Sequence, residues 1–221
     1  NTASVSGTVT LNGTIATSND AVVFGAVTLG SATTIDTNAS SNAADITVAA
    51  ITGGSNNLTL STGNNIAGAD ITASGAISGL GNLTLADVGG TATFSNNVAA
   101  AALNADNTVA NITFTGGTNT FSGAASFTND GTLTLGNASG DSFTFNGGVT
   151  ENTTGTVTLA SAISSSNDAI SFGAVTLGHD VNITIDTNAT DTTGDITIAA
   201  VTGDNSNLTL STGTVANADI T

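Results

Sequence analysis

Apolar residues recur along this chain with a period of two, in short runs of the form apolar, Thr, apolar. Val9-Thr10-Leu11, Val27-Thr28-Leu29, Leu58-Thr59-Leu60, Leu83-Thr84-Leu85, Leu133-Thr134-Leu135, Phe143-Thr144-Phe145, Ile183-Thr184-Ile185, Ile196-Thr197-Ile198 and Leu208-Thr209-Leu210 all follow it. Such alternation points successive side chains to opposite faces of a strand, and β-branched residues suit that pleated surface. Turn signals lie between the runs, among them Asn12-Gly13, Gly53-Gly54, Gly116-Gly117, Asp130-Gly131 and Asn146-Gly147. No stretch keeps an apolar stripe at 3.6-residue spacing, so the pattern predicts an all-β chain of short strands.

The chain also repeats itself over a long period. Residues 18–30, SNDAVVFGAVTLG, return as SNDAISFGAVTLG at 166–178. TVTL at 8–11 returns at 156–159, DITVAAITG at 45–53 returns as DITIAAVTG at 195–203, and NLTLSTG stands at both 57–63 and 207–213. The period is about 150 residues. Residues 1–155 then form a first super-repeat with a less regular middle at 73–155. Residues 156–221 form the first half of the next, in one continuous unit cut from a longer chain.

Differences between the copies act as an internal substitution experiment. Val22 becomes Ile170 and Phe24 stays Phe172, whereas Val23 becomes Ser171. Positions 22 and 24 are therefore expected inside and 23 outside. The same reasoning places Leu58, Leu60, Ile170, Phe172, Leu208 and Leu210 with Val22 and Phe24 in the core. Val48 to Ile198 and Ile51 to Val201 are swaps of similar volume, which a packed core tolerates. SATTID at 31–36 gains two residues to become HDVNITID at 179–186, an insertion expected in a loop.

Short strands, a small aliphatic core and repeats within repeats favour a parallel β-helix, or β-solenoid, over tandem sandwiches. Rungs of roughly 20 to 25 residues stacked about 4.8 Å apart predict about nine to eleven rungs and a rod on the order of 45 to 55 Å. Like residues on neighbouring rungs, Asn on Asn and Thr on Thr, are expected to satisfy the turn amides. GNLTLAD, TFSGAASFTNDGTLTLGN and DITIAAVTGDNSNLTLSTG resemble the strand repeats of giant bacterial surface proteins. These are the filamentous-haemagglutinin-like and autotransporter-like adhesins and some repeat-built S-layer or matrix proteins. The resemblance implies a right-handed β-helix, secretion, and a role in adhesion, biofilm matrix or cell-surface fibres. The complete lack of Lys, Arg and Tyr departs from that pattern.

Composition narrows the function classes. The chain has no Lys, Arg, Cys, Met, Pro, Trp or Tyr, and a formal charge of −16. Without cations it cannot neutralise phosphates, which argues against nucleic acid and against anionic lipid surfaces. No apolar run reaches the length of a bilayer span, and the start, NTASVSG, reads as a mature or excised end. Without Cys there is no disulfide or thiolate site. The lack of trypsin sites and of oxidisable sulfur suits a molecule that persists outside a cell.

Catalytic chemistry is poorly served. Polysaccharide lyases of β-helix type use Arg or Lys, absent here, and hydrolases need paired carboxylates. Asp186 and Asp195 recur as Asp36 and Asp45, as turn-forming Asp residues would. The one His, His179, lies in the inserted loop and has no partner in sequence for a metal site. Weak calcium binding is the better ligand expectation, near Asp191 and Asp195 or at Asp130, because carboxylates at turns are hard oxygen donors. Thr pairs at 8/10, 91/93, 132/134 and 156/158 have the local form of an ice-binding face, but irregular rung lengths argue against a flat lattice. Ten Asn-x-Ser/Thr triplets, including Asn12, Asn57, Asn111 and Asn207, carry sugar only in a host that glycosylates them.

The sequence thus predicts a non-enzymatic, extracellular structural protein needing no cofactor: a fibre, filament, sheath or adhesin shaft that associates end to end with itself. An adhesin that binds a glycan or a host surface is the alternative. A carbohydrate-active enzyme and an ice-binding solenoid stand further off.

Overall fold

The computed structural model of the protein describes residues 7–63, 66–203, 205–214 and 218–221. All 22 strands belong to one sheet, and every pairing between them is parallel. Following the ladder shows a three-sided β-solenoid. On one side, here the third face, Val22, Ile46, Ile71, Ala92, Ile112, Leu133, Val157, Val175 and Val201 lie one above another. Those nine positions mark nine rungs, and each turn takes 18 to 26 residues. The first face begins Val9, Val27, Ile51, Ile77, Val98. The second runs Ile15, Ile35, Leu60, Leu85, Ala105, Phe127.

Alternation accounts for this arrangement. Inward residues of all three faces meet in a single apolar column, in which Leu58, Leu60, Ile170, Phe172 and Val22 are buried while Phe24, Leu208 and Leu210 pack partly exposed near the two ends. Each rung buries its apolar edge only against its neighbours, so length is gained by stacking and not by thickening. The middle section, 73–155, keeps the same ladder with larger filling. Phe94 stacks on Phe114 at 4.6 Å and Phe121 on Phe145 at 5.4 Å, with Phe143 and Phe127 set edge-on to their neighbours. Small residues offset the rings, as Ala73 beneath Phe94 and Ala105 beneath Phe127. The sequence looks irregular there because one packing solution has replaced another, not because the coil changes.

Polar corners complete the core. The buried Thr37, Thr62, Ser161, Thr187, Asn119 and Asn129 all hydrogen-bond across or within corners. The Asn119 amide donates to the Gly116 carbonyl and accepts from the Val98 N–H. Among the described residues no buried side-chain N or O lacks a partner. The expected like-on-like stacking holds on the outside, as with Asn207 donating to Asn182 at 2.8 Å. Inside it gives way: Asn119 pairs in register with Phe143, and it serves loop amides in place of another Asn.

The long repeat returns on a different side of the coil. Val9, on the first face of rung one, matches Val157 on the third face of rung seven. Val22 on the third face matches Ile170 on the second, and Leu58 on the second matches Leu208 on the first. One super-repeat therefore spans six rungs and two further faces, and each copy is turned by a third of a revolution relative to the last.

Local geometry is nonetheless preserved. Asn19 and Asn167 have φ of 67° and 69°, and Asn38 and Asn188 have 44° and 49°. Thr37 Oγ1 donates to the Ala44 carbonyl as Thr187 Oγ1 does to that of Gly194. The Asp36 carboxylate accepts from the Asn38 N–H as that of Asp186 does from Asn188. The two-residue insertion forms the turn at 179–180, at a corner between Ile170–Leu177 and Asn182–Ala189.

The three faces are thus interchangeable seats for one strand-and-corner unit. Writing the second copy into the first, V22I with V23S, is expected to change unfolding free energy by less than about 1 kcal/mol. Denaturant titration of that double variant checks this, and a markedly larger loss would show that the faces are specialised.

Candidate functional site

Carboxylates are spread along the corners and not gathered. Asp191, in an exposed corner, accepts hydrogen bonds from the Thr193 hydroxyl at 2.6 Å and the Thr193 N–H at 2.9 Å. These bonds, the hydroxyl's first, together with Asn167, hold its carboxyl below the ordinary Asp range. Asp195 accepts from the Asp219 N–H at 2.8 Å, and Asp130 accepts from the Thr154 hydroxyl at 2.8 Å. Asp191 thus caps its own turn while Asp195 and Asp130 tie their corners to the next rung, and among the described residues no three His, Asp or Glu side chains come close enough to share a metal ion. His179 is exposed, with Nε2 3.0 Å from the Asp180 carboxylate.

Among the described residues two carboxylates are buried, Asp141, which accepts from the Asn137 and Ala138 N–H groups of its corner, and Glu151, the more deeply buried, which sequence reasoning passed over. It sits at an inward position of the second face, in register with Phe127 below, and is 2 % exposed. One carboxylate oxygen accepts from the Thr153 N–H, and Oε2 accepts from the Gly173 N–H of the next rung at 2.9 Å. It therefore ties two rungs at the place where the strand Ile170–Leu177 rounds a corner without a loop. The signal was present: Val149-Thr150-Glu151 alternates like every other strand, which puts the chain's single Glu inside. Glu151→Ala would leave the partly buried N–H groups of Thr153 and Gly173 without this acceptor and open a cavity, so a loss of about 2 kcal/mol is expected, with Glu151→Gln losing less. Chemical denaturation checks both; an unchanged Glu151→Ala would contradict the assignment.

The outer surface of the third face is more ordered than rung lengths suggested. Above Val23, the outward positions are Thr47, Thr72, Thr93, Thr113, Thr134, Thr158, Thr176 and Thr202, one per rung. Corners absorb the differences in length, and the strands stay in phase. A second rank of Thr91, Asn111, Thr132 and Thr156 flanks it on four successive rungs, where Thr132 donates to the Asn111 carboxamide. Rung lengths are irregular, as the sequence indicated, yet the Thr residues of this face stay in one file, with a second rank on four rungs only. Concavities are shallow by comparison. One at the corner between the first and second faces is lined by Ser55, Leu80, Ala100, Ala101, Thr120 and Ser122, with no charged group.

The two ends of the coil differ from its sides. Among the described residues Val201 and Ile220 are the large apolar residues left exposed, at 45 % and 49 %, and Leu208 and Leu210 lie half-buried beside them. At the other end Val9, Ile15 and Phe24 are likewise only partly covered. Among the described residues Val9–Ala16, Val22–Phe24 and Asn207–Gly213 have a ladder partner on one side alone, while Ile196–Thr202 is met on its outer side by the bridge from Ile196 to Ile220. Unpaired edges and apolar surface coincide there as on any rung without a neighbour laid on it, so the candidate functional site is the continuous hydroxyl-lined side of the coil, the third face.

No protein-family model, curated protein or solved structure matches the chain. The coil itself is a β-solenoid consistent with repeat-built structural proteins and with a scaffolding role. Among the described residues no helix is long and apolar enough to cross a membrane.

Proposed function

We infer that the protein is an extracellular structural element, a stiff shaft or filament segment lengthened by stacking rungs on its ends. The observation that carries this reading is the single parallel, in-register ladder through all nine rungs, in which each rung is covered by the next and length grows by stacking alone. Composition supports an extracellular setting, since the chain has no sulfur to oxidise and no Lys or Arg for trypsin-like cleavage. The fold asks no chemistry of its carboxylates, which cap corners, so the proposed role is neither enzymatic nor dependent on a cofactor. Use as an adhesin shaft, sheath, S-layer or matrix fibre is the same mechanical role in different settings. Electron microscopy of the purified protein, with and without chelator, is the test. The expected result is rods joined end to end in both conditions. A compact monomer that binds glycan saturably would instead favour the adhesin reading, and filaments lost on chelation would restore calcium at Asp130, Asp191 or Asp195.

A second reading rests on the Thr ladder of the third face. Eight hydroxyl-bearing positions spaced by about 4.8 Å, the rung separation, form an array suited to ordering water. If that is their role, the protein produces thermal hysteresis in freezing solutions and Thr134→Lys abolishes it. No hysteresis in the native protein removes this reading.

A further inference from the structure

Through the first six rungs, Val9 to Leu135, the carboxylates keep to one edge of the coil. The chain has seven acidic residues there. Asp36 closes a second-face strand, and the other six, from Asp20 to Asp130, lie in the corners that lead from the second face to the third. That edge lies across the core from the first face. The outward positions of the first face on these rungs, Thr10, Thr28, Thr52, Ser78, Ala99 and Thr120, are uncharged, and so are the corners on both its sides. The apolar concavity at Leu80, Ala100 and Ala101 lies on its shoulder. Rung seven continues the neutral face with Thr144, since Asp141 in the corner before it is buried.

The rotation of the second copy ends this neutral stretch. Asp186, the counterpart of Asp36, takes an outward position on the first face of rung nine, in register with Ser164 below it. Asp168, Asp191 and Asp195 lie in corners at one shoulder of the same face, and Asp180 at the other. The first face is therefore neutral over rungs one to seven and acidic beyond.

We propose that this neutral face is a lateral docking surface for a second copy of the chain, with the two coils antiparallel and rung four of each on the two-fold axis. Charge decides the partner and its direction. Two chains of −16 repel each other, and contact through the first faces sets the acidic edges on the far sides of the pair. Each edge then lies about 10 Å behind its face, so the two are roughly 20 Å or more apart, beyond a Debye length of about 8 Å at physiological ionic strength. Antiparallel coils also hold Asp168 and Asp186 of each copy outside the overlap, whereas parallel coils in register would lay Asp186 on Asp186. Seven rungs offer a strip of about 34 Å by 15 Å, roughly 500 Å² per copy, near the least area that holds a specific pair. The pairing extends the shaft reading sideways and needs no open end.

Sedimentation of the full chain tests the surface. Dimers are expected at an ionic strength of about 150 mM and fewer at about 10 mM, where screening is weak. T52D/T120D, which charges the first face, should weaken the dimer about tenfold or more, whereas T59D/S126D, with the same added charge on the second face, should dimerise as the native chain does. The chain has no Cys, so introduced thiols report the direction. With a thiol-to-thiol crosslinker spanning about 10 Å, the separation of packed sheets, S78C is expected to link to itself. T28C is expected not to, but to link to T120C when the two proteins are mixed. A native chain that stays monomeric at the higher salt, or equal loss in T59D/S126D, would overturn the docking surface, and T28C linked to itself would overturn the antiparallel arrangement. Rods of single width by microscopy would leave the shaft reading intact without the pair; pairs without rods would overturn the shaft reading alone.

Discussion

Everything in this molecule depends on parallel, in-register pairing between successive rungs. A rung of about 22 residues cannot enclose its own apolar side chains, and its strands cannot satisfy their own N–H and C=O groups. Both needs are met at once when an identical rung lies about 4.8 Å above. The period-two alternation makes the register strict, because a slip of one residue would turn Leu58, Leu60 and their neighbours outward and the Thr column inward. Register is what keeps eight Thr residues in line while the turns vary from 18 to 26 residues.

A chain with no cations must close its corners by other means. Asp, Asn, Ser and Thr do so, accepting or donating hydrogen bonds within the turn and to the next rung, as Asp36, Asp45, Asp70 and Asp186 illustrate. The carboxylates thus serve local geometry, and Glu151 does the same from inside. The negative charge that results repels neighbouring molecules at low salt.

Much of the fold could be read from the sequence, because it rests on alternation and repetition. Val22, Phe24, Ile170 and Phe172 were assigned inward or outward by comparing two copies of one segment, and the insertion at 179–180 falls at a corner. The rotation of the repeat was not legible: alignment shows that residues correspond, but face identity emerges only from which strand lies above which. Glu151 was not singled out, although the alternation of Val149-Thr150-Glu151 places it inside. The Thr ladder was underestimated because rung length was read as strand irregularity, whereas corners take up the difference. Of the candidate site, the Thr residues were legible as strand positions, whereas their alignment in one file depends on which strand lies above which.

The central claim is a single parallel ladder that passes through both copies of the repeat. Nuclear Overhauser contacts between backbone protons along the third face test it most directly. The account predicts sequential parallel contacts linking Thr134 to Thr158, Thr158 to Thr176 and Thr176 to Thr202. Strong Hα to Hα contacts across antiparallel partners, or a ladder that breaks between Thr134 and Thr158, would contradict it.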